Sequence, residues 1–146
     1  MIVKEELPAV DGGPTIGANR NAAIADAAGE YICFIDDDDL VPDHYVKRIL
    51  EAIKDKPDVV GIRGHYILGQ NKPELFIHSL DYNEWKTVDG VHQRCPNHLN
   101  PVKREIALQV PFPEKNYRED MEYSMALLPL LKTQVMVEGI MYFYLK

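Results

Sequence analysis

Cysteine is nearly absent from these 146 residues: only Cys33 and Cys95 occur, one inside an apolar run and one directly before Pro96. That spacing excludes a C-x-x-C metal site and a disulfide framework, so both are read as reduced thiols. There is no run of Lys or Arg either. Sixteen basic residues stand against 23 acidic ones, for a formal net charge of −7, which argues against a nucleic-acid partner and in favour of bound cations. No stretch approaches the ~20 consecutive apolar residues that a membrane-spanning helix needs. The opening MIVKEELPAV lacks the basic start and apolar core of a signal peptide. No membrane span and a cytoplasmic location are therefore expected. Repeats and low-complexity segments are missing as well. With 46% hydrophobic residues the chain is long enough for one core, and a single domain over residues 1–146 is expected.

What is present alternates between helical and extended signals. Asp11-Gly12-Gly13-Pro14 is a turn cluster. Residues 17–28, GANRNAAIADAA, are alanine-rich and favour a helix, with Gly29 placed to end it. Tyr31–Ile35, YICFI, is apolar on both faces, as a buried strand is. Pro42 and Asp43 supply helix-start chemistry, and Val46, Ile49, Leu50 and Ile53 follow at i, i+3, i+4 and i+7. Residues 58–64, DVVGIRG, form a second strand, so a parallel pair with a crossover is expected and the fold class is α/β. Residues 65–100 read as irregular, with a strand over 74–80 and long loops over 81–96. A short helix is expected over 103–108. Another is expected over 119–131, with Met121, Met125, Leu128 and Leu131 on its apolar side and Pro129 bending its end. The end of the chain reads as a β-hairpin turning at Gly139.

The most informative stretch is YICFIDDDDLVPD, residues 31–43, where a buried strand runs straight into Asp36, Asp37, Asp38 and Asp39. Neighbouring carboxylates about 6 Å apart repel by roughly 3 kcal/mol at an effective dielectric of 20, so a compensating positive charge is expected. In an extended chain Asp36 and Asp38 share one face and Asp37 and Asp39 the other. A D-x-D pair of this kind can meet one hard cation, Mn²⁺ or Mg²⁺, beyond the carboxyl end of a strand. The competing explanation is a solvated acidic turn that caps the following helix. An EF-hand is excluded because Leu40 stands where its loop needs glycine.

Residues 17–46, GANRNAAIADAAGEYICFIDDDDLVPDHYV, resemble the core of the family 2 glycosyltransferases. In that family an R-N pair on an alanine-rich helix leads through A-x-G-E-Y-I-x-F to a D-x-D motif. The resemblance implies a GT-A fold: a Rossmann-like mixed sheet flanked by helices that binds a nucleotide-diphosphate sugar and passes the sugar to a saccharide or other hydroxyl acceptor. It places Asp36, Asp38 and Asp39 near a metal ion and Asp36, Asp37 and Arg20 near the nucleotide diphosphate. A second match, Arg118-Glu119-Asp120, resembles the family's G-E-D element, with Arg118 in place of the frequent glycine. It makes Asp120 the candidate base and Glu119, beside it, a second catalytic candidate. An acidic helix N-terminus explains the same pair without catalysis. His98, Trp85 and Lys103 are candidates for the acceptor side, against ordinary packing or surface roles for each.

Family members usually begin with a further β-α-β unit. The chain is therefore expected to be an N-terminally truncated GT-A-like domain, with Asp11 as a remnant of the nucleotide-reading turn. Two other functions stay open at this point. One is a non-catalytic binding domain that covers its open sheet edge by forming a homodimer. The other is a phosphatase using the first aspartate of D-x-D as nucleophile.

Overall fold

The computed structural model describes residues 2–4 and 12–146 of the chain; Asp11 lies outside the described residues. Eight strands form one mixed sheet: β1 (Ile2–Lys4), β2 (Tyr31–Ile35), β3 (Val59–Ile67), β4 (Glu74–His78), β5 (Lys86–Val88), β6 (Val91–Arg94), β7 (Val102–Lys103) and β8 (Gln134–Leu145). Their order is β1-β2-β7-β3-β4-β6-β5, with β8 also paired to β3. Among the described residues four α-helices accompany them: α1 (Ile16–Asp26), α2 (Tyr45–Ala52), α3 (Arg104–Ala107) and α4 (Glu119–Leu127).

The doubly apolar YICFI segment is a strand, and its alternation divides the core. Ile32 and Phe34 join α1, α3 and α4 through Ile24, Ile106, Tyr123 and Leu127. Cys33, on the opposite face, joins α2 through Tyr45, Ile49 and Ala52. Side-chain direction alternates along a strand, so a strand covered by helices on both sides must be apolar throughout. Both cysteines are buried and free.

Several expectations are corrected by pairings between distant segments. The anticipated β2–β3 pair is not direct: the two-residue β7 lies between them and runs antiparallel to each. The loop expected over 81–96 contains a β5–β6 hairpin, turning at Asp89 (φ 51°) and Gly90 (φ 77°). Asp-Gly favours this two-residue turn because both central residues need positive φ. The C-terminal hairpin does not form. Residues 134–145 make one long strand running parallel to β3, with register shifts between Gly61 and Gly64, and Gly139 (φ 83°) takes a kink rather than a reversal. Helix α1 ends at Asp26, with Ala27 already extended, so Gly29 does not cap it.

The helices also present different faces from those the apolar spacing suggested. In α2 the buried side chains are Tyr45, Ile49 and Ala52, while Val46 and Leu50 are more than half exposed. In α4 they are Glu119, Tyr123, Ser124 and Leu127, and Met125 is exposed. Tyr123 stacks on Phe112 with ring centroids 3.9 Å apart, so an aromatic pair takes the place that a methionine stripe was expected to fill.

Helix α1 is docked tightly where its N-terminus meets the segment leading to α4. Thr15 accepts from the Ala18 N–H as N-cap, the Gly17 N–H donates to the Lys115 carbonyl at 3.3 Å, and a Cβ on Gly17 would sit 1.8 Å from the Pro113 carbonyl oxygen. A backbone atom cannot swing away as a side chain can. Gly17→Ala should therefore destabilise the fold by roughly 1–3 kcal/mol, as overpacking does, instead of giving the gain that Ala normally brings to a helix. Urea unfolding midpoints of the two proteins check this.

Candidate active site

The acidic run does not continue β2. The strand ends at Ile35, and the Asp39 N–H donates to the Asp36 carbonyl at 3.1 Å, closing a turn. The alternation expected of an extended chain is therefore replaced. Asp36, Asp37 and Asp38 all line one cavity of about 420 Å³, while Asp39 is turned away and buried at 7% exposure. Asp39 Oδ2 accepts from the Tyr142 hydroxyl at 2.7 Å, and Oδ1 accepts from the Leu145 N–H at 2.9 Å. Burial pushes its carboxyl up, against the pull of these two hydrogen bonds.

The compensating positive charge is Arg20 of α1. Its guanidinium is buried, 2.8 Å from Glu119 Oε1 and 3.5 Å from Asp36 Oδ1. It lies 5.9 Å from the Phe34 ring centre and 5.4 Å from that of Phe112. Burial pushes the Asp36 carboxyl up, but the hydrogen bond and charge of His98, then those of Arg20, outweigh it and hold the carboxyl below its usual range. His98 is itself buried, with Nε2 3.5 Å from Asp36 Oδ2 and Nδ1 without a hydrogen-bond partner.

Glu119 and Asp120 open α4 on the same cavity. Glu119 is committed to Arg20, whereas among the described residues Asp120 accepts from the Met121 N–H through Oδ1, at 2.8 Å. The residue before them, Arg118, sits at φ 62°. That left-handed conformation suits glycine, which accounts physically for glycine as the frequent occupant of the motif's first position.

The remaining wall is aromatic. Trp85, Tyr66, Tyr144 and Arg94 line it. Trp85 Nε1 donates to Ser124 of α4 at 3.2 Å, and the Arg94 guanidinium lies 5.1 Å over the indole. Tyr66 and Tyr144 meet edge to face at 5.2 Å. Tyr66, Tyr144 and Arg94 were not foreseen. The only signal for Arg94 is a lone cation ending the strand that follows an Asp-Gly turn.

The structure thus brings Asp36, Asp37, Asp38, Arg20, Glu119, Asp120, His98 and Trp85 to one cavity. Lys103 is not among them. It pairs with Asp58 at 3.3 Å and lines a separate cavity with Lys56 and Arg104, because β7 carries it to the other end of β2. Arg20, expected near a diphosphate, lines the cavity and is held there by the carboxylates of Asp36 and Glu119. Among the described residues no three His, Cys, Asp or Glu side chains form a ready-made cation cage. The donors offered are carboxylates opening on a cavity, which suits a hard ion that keeps waters and takes further oxygens from a phosphate. No helix among the described residues is long and apolar enough to cross a membrane.

The family model described as Glycosyl transferase family 2 matches residues 13–110. The chain belongs to glycosyl transferase family 2. Its mixed sheet flanked by helices is also that of S. aureus TarS 1-349, with a TM-score of 0.69 at 20% identity over 95% of this chain and 42% of that one. Structures of TarS 1-349 in complex with UDP-GlcNAc and with UDP give TM-scores of 0.67 at 18% identity, over 97% and 96% of this chain and 41% and 42% of theirs. At these identities the likeness is one of fold, and the chain spans about two fifths of the TarS 1-349 chains. No curated protein matches the sequence.

His78, which also lines the cavity, is buried against Asn100. Asn100 Nδ2 donates to the Val60 carbonyl and Oδ1 accepts from the Asn97 N–H, which assigns His78 Nδ1 as donor to Oδ1 at 3.1 Å. Burial lowers the imidazole to about 3 from its ordinary 6.5, so the folded chain holds it neutral. Between these values the unfolded chain binds a proton here that the folded chain does not, and stability falls as the pH falls, by up to about 1.4 kcal/mol per pH unit. His78→Gln should show a shallower loss of stability between pH 6 and 4 than the parent protein, as read from urea midpoints across that range.

Proposed function

We propose that this chain is the core of an inverting, metal-dependent glycosyltransferase that moves a sugar from a nucleoside diphosphate donor to an acceptor hydroxyl. The observation carrying this is the single cavity with Asp36, Asp37 and Asp38 on one wall, Asp120 on another and an aromatic platform beside them. The UDP-GlcNAc and UDP complexes of TarS 1-349 support a donor of the nucleoside diphosphate class. Asp38 and Asp36 are the side chains that would hold Mn²⁺ or Mg²⁺. When bound, the ion supplies charge neutralisation of the departing diphosphate.

The chain's own residues then have distinct tasks. Asp120, unencumbered by a cation, takes the proton of the acceptor hydroxyl as its oxygen bonds to the anomeric carbon. The carbon–oxygen bond to the diphosphate breaks on the opposite face, and its electron pair leaves with the diphosphate. Glu119 keeps Arg20 in place between the two acidic elements. Trp85, Tyr66 and Tyr144 offer flat apolar surfaces to the C–H faces of a sugar.

Mn²⁺ titration should give weak binding alone and tighter binding with UDP, and Asp38→Asn should lose most of that coupling. With UDP-GlcNAc as the first donor tested and a panel of saccharide acceptors, Asp120→Asn should lower kcat at least about a hundredfold while leaving Mn²⁺ and UDP affinity nearly unchanged. Glu119→Gln should be milder. Unchanged Mn²⁺ binding in Asp38→Asn would refute the metal assignment. Full turnover in Asp120→Asn would refute the base.

The open edge expected at Tyr31–Ile35 and residues 59–62 does not exist, because β2 is paired to β1 and β7, and β3 to β4, β7 and β8. A second reading, a homodimeric binding domain, draws instead on the groove where exposed Val46 and Leu50 of α2 border Tyr31, Ile32 and Cys33 of β2. A twofold contact would bury Val46 and Leu50 of both copies. Sedimentation at micromolar concentration should then give a dimer that Leu50→Lys converts to monomer. A monomeric parent protein would dispose of this surface.

A further inference from the structure

The four aspartates are consecutive, yet three face the cavity and one does not, and the group that separates them comes from the far end of the chain. Tyr142 of β8 is fully buried. Its hydroxyl accepts from the Asp36 N–H at 3.1 Å and donates to Asp39 Oδ2 at 2.7 Å. The Leu145 N–H donates to the other oxygen of Asp39, and Leu40 exchanges both backbone hydrogen bonds with Phe143, at 3.0 and 2.8 Å. One phenol therefore bridges the first and last residues of the acidic turn, and two neighbouring residues of the same strand brace it.

The irregularity in β8 is what aims Tyr142 there. While β3 advances from Gly61 to Gly64, β8 advances from Met136 to Tyr142. In an undisturbed strand Met141 and Tyr142 would point to opposite faces. Here both are fully buried in the same core cluster beneath α2. Bulges of this kind re-aim a side chain and recur beside functional sites. Without the shift, the phenol would leave the acidic turn and Asp39 would lose its hydroxyl donor.

We infer that Tyr142 is a positioning residue, which withdraws Asp39 and thereby sets Asp36 and Asp38 toward the cavity in the geometry that receives the metal and diphosphate. This rests on the metal-dependent transferase reading above for its consequence, but not for the clamp itself. Tyr142→Phe deletes the hydroxyl and keeps the ring. In the metal-free protein it should speed amide hydrogen exchange at Asp36 and Leu145 without doing so across β3, measured by NMR. In the presence of UDP it should weaken Mn²⁺ binding about tenfold or more, the usual effect of losing a group that orients metal ligands, with an altered Mn²⁺ EPR spectrum.

A purely structural tyrosine would lower the melting temperature and leave Mn²⁺·UDP affinity and the spectrum as they were, and that result overturns the inference. So does unchanged exchange at Asp36. If the parent protein binds no Mn²⁺ with UDP, the transferase reading fails separately, and the exchange measurement alone decides whether Tyr142 positions the turn. Should Tyr142→Phe not fold, Asp39→Asn probes the same clamp from its other end, with the same outcomes expected in weaker form.

Discussion

Charge repulsion around one cavity is the constraint on which the rest of the site depends. Asp36, Asp37, Asp38, Glu119 and Asp120 all line it, and they arrive from two elements whose shared apolar core brings these like charges together. Arg20 is the tie between them, in contact with Asp36 and Glu119 at once. A buried ion pair repays its desolvation only when geometry and surroundings are favourable, and here the guanidinium also lies over two aromatic rings, those of Phe34 and Phe112. Those rings belong to the core that α1, β2 and α4 share. The same packing that stabilises one face of the sheet therefore holds the charge that lets the carboxylates converge.

The site is assembled late in the chain as much as early. The family model ends at residue 110, yet Glu119, Asp120 and Tyr144 line the cavity and Tyr142 braces its acidic turn. These residues reach it through α4, docked on α1 by way of Arg20 and the Gly17 contact with residues 113–115, and through β8, whose pairing with β3 spans most of that strand. Loosening either late element would be felt at Asp36, because its side chain is coupled to α4 through Arg20 and its backbone to β8 through Tyr142.

What could be read in the sequence follows a physical division. Local signals sufficed for YICFI and for a helix after Pro42, since each depends on neighbours within a few residues, whereas the meeting of the acidic run with the distant Glu-Asp helix start was implied only by the resemblance. The resemblance to family 2 came from the same stretch. Features set by distant partners were not legible. Nothing in Val102-Lys103 announces that two residues will lie between β2 and β3, and nothing around Gly139 distinguishes a hairpin turn from a kinked strand until β3 is there to pair with it. The faces of α2 and α4 were misassigned because apolar spacing names a stripe without saying which side meets the sheet. Tyr45 and Tyr123, each with a polar tip, occupy the buried side that Val46 and Met125 were expected to take. The Asp89-Gly90 turn is different: it was available locally and was passed over.

The two walls of the cavity together narrow the chemistry. A ligand that was only anionic would meet the carboxylates at a cost of roughly 3 kcal/mol per unit-charge pair near 5–6 Å, at an effective dielectric of 20. The opposing guanidiniums do little to relieve it, since Arg20 is already shared by two acids and Arg94 lies over Trp85 on the far wall. An anionic group would therefore need a cation brought with it, while Tyr66, Tyr144 and Trp85 on the other wall offer flat apolar surface that needs none. An acidic wall that favours a cation is thus set against an aromatic wall that does not, so the cavity offers two regions of different chemistry.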